Sequence, residues 1–327
     1  MKLLRLVTWR IRPLLLLAGA ALATPARADD PRTVRVGYAP SITDAVGIVG
    51  FSPQKRSYYK AFPGVTFNNR LFLAGPAVIE AMRRDEIDMA FVDGGAAISA
   101  FARSPDIVVL TGTTAGGTIL VGRKGVAITA AAGLQGRKVA VPEIGCTQDT
   151  LLRFLLALNG LRAEDKGGKV AVMAIDNPEL PGLFLQKKID AACVPEPWGS
   201  YLVKEAGATV ILGSGQMFNE GEYPATVLVA RKAFADANPR FTRKFRDVTR
   251  RITLVISSQK MNYAPLLKSE MKRLSGRTMT DASITSGLKR CRFTTTANAH
   301  DMAVFAKLVD VAGYMPPGAK LDGIMLQ

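Results

Sequence analysis

Few residues in this chain have the type and spacing that chemistry demands. His300 is the single histidine. That argues against Ser-His-Asp and Cys-His catalysis, multi-histidine metal sites and haem ligation. The cysteines, Cys146, Cys193 and Cys291, are too few for a disulfide scaffold and too widely spaced for a zinc motif. Cys146 and Cys193 are expected as separate thiols. No G-x-x-x-x-G-K-S/T or G-x-G-x-x-G occurs, so a nucleotide phosphate loop has no support. Glycine turns, hydroxyls and carboxylates remain, and their chemistry is binding. The sharpest case is Gly145-Cys146-Thr147-Gln148-Asp149. A glycine turn into a helix leaves free N–H groups at the positive end of the macrodipole. Such an end takes carboxylate, sulfonate or phosphate. Thr147 and Gln148 add side-chain donors. The alternative is that Thr147 only caps the helix and Asp149 answers the dipole. Gly75-Pro76 and Gly94-Gly95 pose the same question more weakly.

Elements of one repeated plan must position these groups. Thr33 to Tyr38 alternates like a strand and stops at Ala39-Pro40. A second strand near Val65–Leu73 runs into Ala74-Gly75-Pro76, with a helix over Ala77–Arg84. Ile87–Val92 reads as a buried strand that breaks at Asp93-Gly94-Gly95, before a helix over Ala96–Ala102. The plan recurs with strand Lys138–Val141, helix Gln148–Leu158 with Thr147 as N-cap, strand Val170–Ile175, a short helix at Leu183–Lys188 and strand Ile189–Val194. Ile189–Val194 aligns with Ile87–Val92, and Val139 and Val141 with Val34 and Val36. Strands alternating with helices imply parallel sheets with helices on their faces. Ile107–Val121, broken by Gly112 and Gly116-Gly117, and Ala225–Ala230 read as crossings between two lobes. Helices follow at about Asn238–Gln259, Tyr263–Leu274, Asp281–Lys289 and Asn298–Val311.

Ligands of open parallel sheets bind beyond the carboxyl ends of the strands. The loops there carry Ser41, Thr43 and Asp44, then Gly75, then Asp93 and Gly94. Gly117 and Thr118 lie at the crossing. The second half offers Cys146, Thr147 and Gln148, then Glu196 and Trp198. Pro197 keeps Glu196 out of the α region. The Trp198 ring can pack on the carbon part of a ligand or fill core.

Composition sets the class. The chain has 327 residues, 48% apolar and 21% charged, enough for about two domains and a sizeable core. Residues 1–28 read as a secretory signal: Lys2, Arg5, Arg10 and Arg12, an apolar run Leu14–Ala23, and Ala26-Arg27-Ala28. The run is short for a membrane span, which takes about 20 residues. The formal charge is +16. Cleavage after Ala28 removes five cations and no acids, leaving +11. Export argues against nucleic acid as the partner. The basic stretch Arg240–Arg251, with Phe241, Phe245, Val248, Ile252 and Val255 at helical spacing, reads as a solvated helix face.

These segments together resemble the substrate-binding proteins of ABC importers in the aliphatic sulfonate, taurine and nitrate group, which includes thiamine pyrimidine-precursor binders. The matching text is Ala74-Gly75-Pro76 with Ile79-Glu80-Ala81, Ile87–Ala90, Gly116-Gly117 before Leu120-Val121, Gly133–Ala140, Thr147-Gln148-Asp149, and Ile189-Asp190 leading to Glu196-Pro197-Trp198. It spans roughly residues 33 to 235. The resemblance implies a two-lobed α/β periplasmic binding protein type II fold. Two doubly wound mixed sheets would be joined by two crossing strands, with a helical C-terminal part. The segments would be 29–118 (lobe one), 119–221 (lobe two) and 222–327 (return strand and C-terminal helices of lobe one). It also implies a periplasmic monomer that delivers a small sulfonate, taurine-like or related anionic or zwitterionic solute to an inner-membrane permease. No catalysis, cofactor or metal is implied. Two departures stand out. Relatives show a His after Pro-Asn-Ile-Thr, and here Asp44 follows Pro40-Ser41-Ile42-Thr43. Relatives have Gly-Pro after the third strand, and here it is Asp93-Gly94-Gly95. Carboxylates repel a bare anion and suit a zwitterion, a cation or a polar neutral molecule. A non-transport sensory protein and an exported carboxylate-dependent enzyme are the alternatives.

Overall fold

The computed structural model describes residues 30–326, so the expected signal segment, 1–28, lies outside the described residues. The strands are β1 (Thr33–Tyr38), β2 (Thr66–Leu71), β3 (Met89–Val92), β4 (Ile107–Gly116), β5 (Thr118–Gly122), β6 (Lys138–Val141), β7 (Ala171–Ala174), β8 (Ala191–Pro195), β9 (Thr209–Leu212), β10 (Pro224–Arg231) and β11 (Cys291–Phe293). They form two mixed sheets, ordered β11-β4-β10-β3-β1-β2 and β7-β6-β8-β5-β9. β1 runs parallel to β2 and β3, and β10 antiparallel to β3 and β4. In the second sheet β6 runs parallel to β7 and β8, and β5 antiparallel to β8 and β9. β6 and β8 therefore stand where β1 and β3 stand, as their matching sequences implied. The central strands β3, β4 and β10 are mostly apolar and buried on both faces, as strands covered by helices on each side must be. β2 is the polar, exposed edge.

The chain leaves the first sheet at Gly116 and enters the second at Thr118. Gly116 and Gly117 take φ of +71° and +82°, a region where a side chain is strained. A Cβ on Gly117 would also sit 2.5 Å from the Cys291 Sγ. The chain returns to the first sheet at β10. The four C-terminal helices fall at Pro239–Ser258, Ala264–Ser275, Asp281–Arg290 and Ala299–Val311, within a residue or two of expectation. Thr147 is already the first residue of its helix, Thr147–Leu158, and Cys146 is the N-cap. β9 and β11 went unread in the sequence. β9 is short, and β11 follows its helix with no glycine or proline to mark the break.

The basic stretch lies on the Pro239–Ser258 helix. Its buried row is Phe241, Phe245, Val248, Ile252 and Ile256, with Arg243, Lys244, Arg250 and Arg251 facing outward. Val255, expected on the buried row, is exposed; the row continues four residues after Ile252, at Ile256. Phe245 stacks on Tyr58 with centroids 4.4 Å apart, and Phe241 lies 4.8 Å from Phe62. The Tyr58 and Thr249 hydroxyls meet at 2.9 Å. The helix thereby ties itself to the short helices Ala45–Phe51 and Ser57–Ala61. Among the described residues, no helix is long and apolar enough to cross a membrane.

Phe245→Ala removes a fully buried ring and should destabilise the fold by about 3–5 kcal/mol in urea unfolding. Arg243→Ala, on the exposed face of the same helix, should change it by less than about 0.5 kcal/mol.

Candidate functional site

The carboxyl ends of the parallel strands in both sheets point at one cavity between them. Its volume is about 40 Å³. From the first-sheet side it is lined by Ser41, Thr43, Asp44, Gly75 and Asp93, all expected there. From the other side Gln148 and Trp198 reach it, also as expected. Phe91, Asn177 and Thr226 line it as well and were missed.

One carboxylate organises this region. Asp93 is the N-cap of the helix Gly94–Arg103, and its Oδ1 accepts from the Ala96 amide at 3.0 Å. The same oxygen accepts from the Thr147 amide at 2.8 Å and the Thr147 hydroxyl at 3.0 Å. Its Oδ2 accepts from the Gly75 amide at 3.0 Å. Asp93 thus ends three helices at once: Gly75–Arg83, Gly94–Arg103 and Thr147–Leu158. Only glycine fits at 75, because a Cβ there would collide with this carboxylate. The Thr147 hydroxyl also accepts from the Gly95 amide at 2.9 Å. The second-sheet side reciprocates: Glu143 Oε2 accepts from the Ala77 amide, at 3.3 Å, in the first turn of the Gly75–Arg83 helix.

This geometry corrects several expectations. Thr147 does not face the cavity, since both its amide and its hydroxyl serve Asp93. Gly94 is pressed against Pro224, and Gly117 against Cys291, so neither lines the cavity. The Thr118 hydroxyl accepts from Gln148 Nε2 at 3.0 Å, behind the lining. Glu196 turns away from the cavity. It accepts from the Ser200 amide and hydroxyl at 3.0 Å and pairs with Arg290 at 2.8 Å. Its backbone carbonyl still holds the first-sheet loop, accepting from the Ile42 amide at 2.8 Å. Asp149 accepts from the Gly145 amide at 2.8 Å and pairs with Arg153 at 2.8 Å, so it answers its own turn. Trp198 is both core and wall: it is buried, it lines the cavity, and its Nε1 donates to the Pro40 carbonyl at 3.0 Å. Cys146 lies beneath the lining. It, Cys193 and Cys291 are free, buried thiols, and burial raises the pKa of each.

Asp44 differs from the other acids. It is 6% exposed and its Oδ1 has no hydrogen-bond partner. Burial first, and the negative charge of Asp93 second, push its pKa well above the usual carboxylate range, against hydrogen bonds from Ala39, Thr226 and Ser41. Burial also raises Asp93, against the donors that surround it, and Glu196, against Ser200 and Arg290. The Ser41 and Thr43 hydroxyls bond to each other. Among the described residues no Lys, Arg or His lines the cavity, and no group of acids, cysteines and histidines could hold a metal ion.

The raised Asp44 fixes the sign of one pH effect. The folded state holds this proton where the unfolded chain, with a value near 4, releases it. The stability it lends is full below about pH 4 and is lost as pH rises through the folded value. Urea unfolding from about pH 4 to about pH 8 should therefore show a smaller loss of stability in Asp44→Asn than in the wild type. Asp93 and the Cys291 thiol, which act on Asp44 or feel it, remain in both proteins.

Known proteins can be set beside this geometry. A profile of the NMT1-like family matches residues 27–264. A protein of Brucella abortus named only as a binding protein is 27% identical over 214 residues, 64% of this chain and 63% of that relative's length. Among solved structures, the alkanesulfonate-binding protein SsuA from Xanthomonas axonopodis pv. citri, bound to MOPS, gives a TM-score of 0.75 at 17% identity. That match covers 91% of this chain and 99% of SsuA. The periplasmic nitrate-binding protein NrtA from Synechocystis PCC 6803 gives 0.70 at 14% identity, over 89% of this chain and 84% of that one. The two structures establish the architecture, the two-lobed α/β binding-protein fold expected from the sequence. The family match covers well over half of the sequence: the chain belongs to the NMT1-like family.

Proposed function

We propose that this protein is the solute-binding component of an ABC importer, carrying a small polar solute to a permease in the inner membrane. The cavity between the sheets carries this reading. It lies at the carboxyl ends of parallel strands from both sheets, where such sheets place their ligands. Backbone and side-chain bonds between the two halves close over it, from Asp93 to Thr147, Trp198 to Pro40 and Ile42 to Glu196. The halves act as lobes, 29–118 with 222–327 and 119–221. Opening them admits the solute and closing them presents a loaded surface to the permease. The chain is exported to the periplasm after cleavage at Ala28 and works there as a monomer, without metal, cofactor, nucleic acid or turnover.

The family resemblance pointed to a sulfonate, a taurine-like molecule or a related anionic or zwitterionic solute. SsuA and NrtA carry alkanesulfonate and nitrate in their names. The lining here favours the part of that range that bears a positive group. Asp44 and Asp93 both reach the cavity, and no cation of the described residues does. A bare anion meets repulsion there.

Native mass spectrometry of the protein as purified, before and after mild unfolding, should reveal a released small molecule. Adding that molecule back at a hundredfold excess over Kd should stabilise the fold by about 2.7 kcal/mol, with the molecule recovered unchanged. Its conversion by pure protein would make the protein an enzyme. An intact Met1 on protein from its native envelope would refute cleavage.

A further inference from the structure

Asp93 and Asp44 both carry a carboxylate to one cavity, yet their hydrogen bonding is opposite. A carboxylate offers about four acceptor places. Asp93 has four donors on it: the Ala96, Thr147 and Gly75 amides and the Thr147 hydroxyl. The donors at these helix ends are what an anionic ligand head would require. The chain's own carboxylate already holds them. Asp44 has capacity to spare, because its buried Oδ1 has no partner and no ion pair of the described residues reaches it. The Asn177 Oδ1, on the other side of the cavity, is also buried without a partner.

The rest of the lining spends part of its donor capacity inside the protein. Pro40, Pro142, Pro178 and Pro195 contribute walls with no N–H. The Trp198 N–H is engaged by the Pro40 carbonyl, and Gln148 Nε2 gives one of its two hydrogens to Thr118. Phe91 and Trp198 add aromatic rings, whose faces attract a cation. The cavity is small, about 40 Å³.

We infer that the solute is a small organic cation with N–H donors and no acidic group. Its ammonium or amidinium rests on Asp44 and reaches Asn177, while Asp93 supplies internally the negative charge at the helix ends. This rests on the solute-binding reading and narrows it. A buried acceptor left unmet is unfavourable, and a donor cation meets both oxygens at once. It also separates Asp44 from Asp93, since a positive charge between two like charges offsets their repulsion.

Three related molecules test this by isothermal titration: ethylammonium, taurine, which adds a sulfonate to that amine, and ethanesulfonate, which keeps the sulfonate and lacks the amine. Ethylammonium should bind at least tenfold tighter than taurine, and ethanesulfonate should not bind. Asp44→Asn should weaken ethylammonium by about ten- to a hundredfold, the loss of one charge-assisted bond. Taurine or ethanesulfonate binding as tightly as ethylammonium overturns the inference and leaves the solute-binding reading standing. So does an unchanged ethylammonium affinity in Asp44→Asn. The wild-type ranking stands by itself if that variant does not fold. If none of the three binds, the molecule released from the native protein decides. A cation without an acidic group sustains the inference and a neutral or acidic molecule overturns it. No released molecule overturns both readings.

Discussion

The Asp93 carboxylate is the constraint around which the centre of the protein is arranged. Helix N-termini leave amides without intrahelical partners, and burying such amides unmet is costly. Here three helices begin within reach of one side chain, and it answers an amide from each. That requirement explains Gly75, where any side chain would displace the carboxylate. It explains why Thr147 is a first-turn residue with its hydroxyl turned across the gap. It also joins the two halves of the molecule. Asp93 comes from the end of β3 in the first sheet, and Thr147 follows β6 in the second. Glu143, reaching the other way to the Ala77 amide, makes the arrangement reciprocal.

The charges are sorted by depth. Arginines and lysines cover the outside, as on the Pro239–Ser258 helix, while among the described residues the buried charges are mostly acids: Asp44, Asp88, Asp149, Glu196 and Glu270 against Arg153. Some of the central acids are neutralised in place. Asp149 has Arg153, and Glu196 has Arg290 and the Ser200 amide. Asp93 has helix ends in place of a cation. Asp44 has neither, and burial outweighs the Ala39, Thr226 and Ser41 hydrogen bonds that oppose it. Among these acids, Asp44 is the one whose buried Oδ1 is left without a partner.

Much of this was legible in the residues. The alternation of apolar strands with helices disclosed the repeated plan, because each parallel strand needs a helix to return the chain. The rule that ligands sit beyond strand ends found Asp44, Gly75, Asp93, Gln148 and Trp198. It failed where a side chain has a local or distant partner that sequence spacing hides. Glu196 folds back on Ser200, four residues on, and meets Arg290, ninety-four residues on. Thr147 meets Asp93 from the other half of the fold. Asn177 was discoverable: it follows β7, another parallel strand, in the turn Asp176-Asn177-Pro178, and the same rule covers it. Thr226 was not, because β10 runs antiparallel and presents its start at the cavity. Val255 yielded its place to Ile256 because a helical row can advance by three residues or by four, and only packing decides which.

The three buried thiols set an order of events for the chain. Thiol–disulfide exchange needs a thiolate and an open approach to sulfur. The fold denies both, since Cys146, Cys193 and Cys291 are enclosed and burial disfavours their ionised forms. The native protein is therefore silent toward oxidants of the exchange type. The unfolded chain has no such protection: its sulfurs ionise near pH 8.5 as in any peptide, and any two can join. Wherever such oxidants are present, correct maturation is a race that folding must win, and victory leaves no covalent trace.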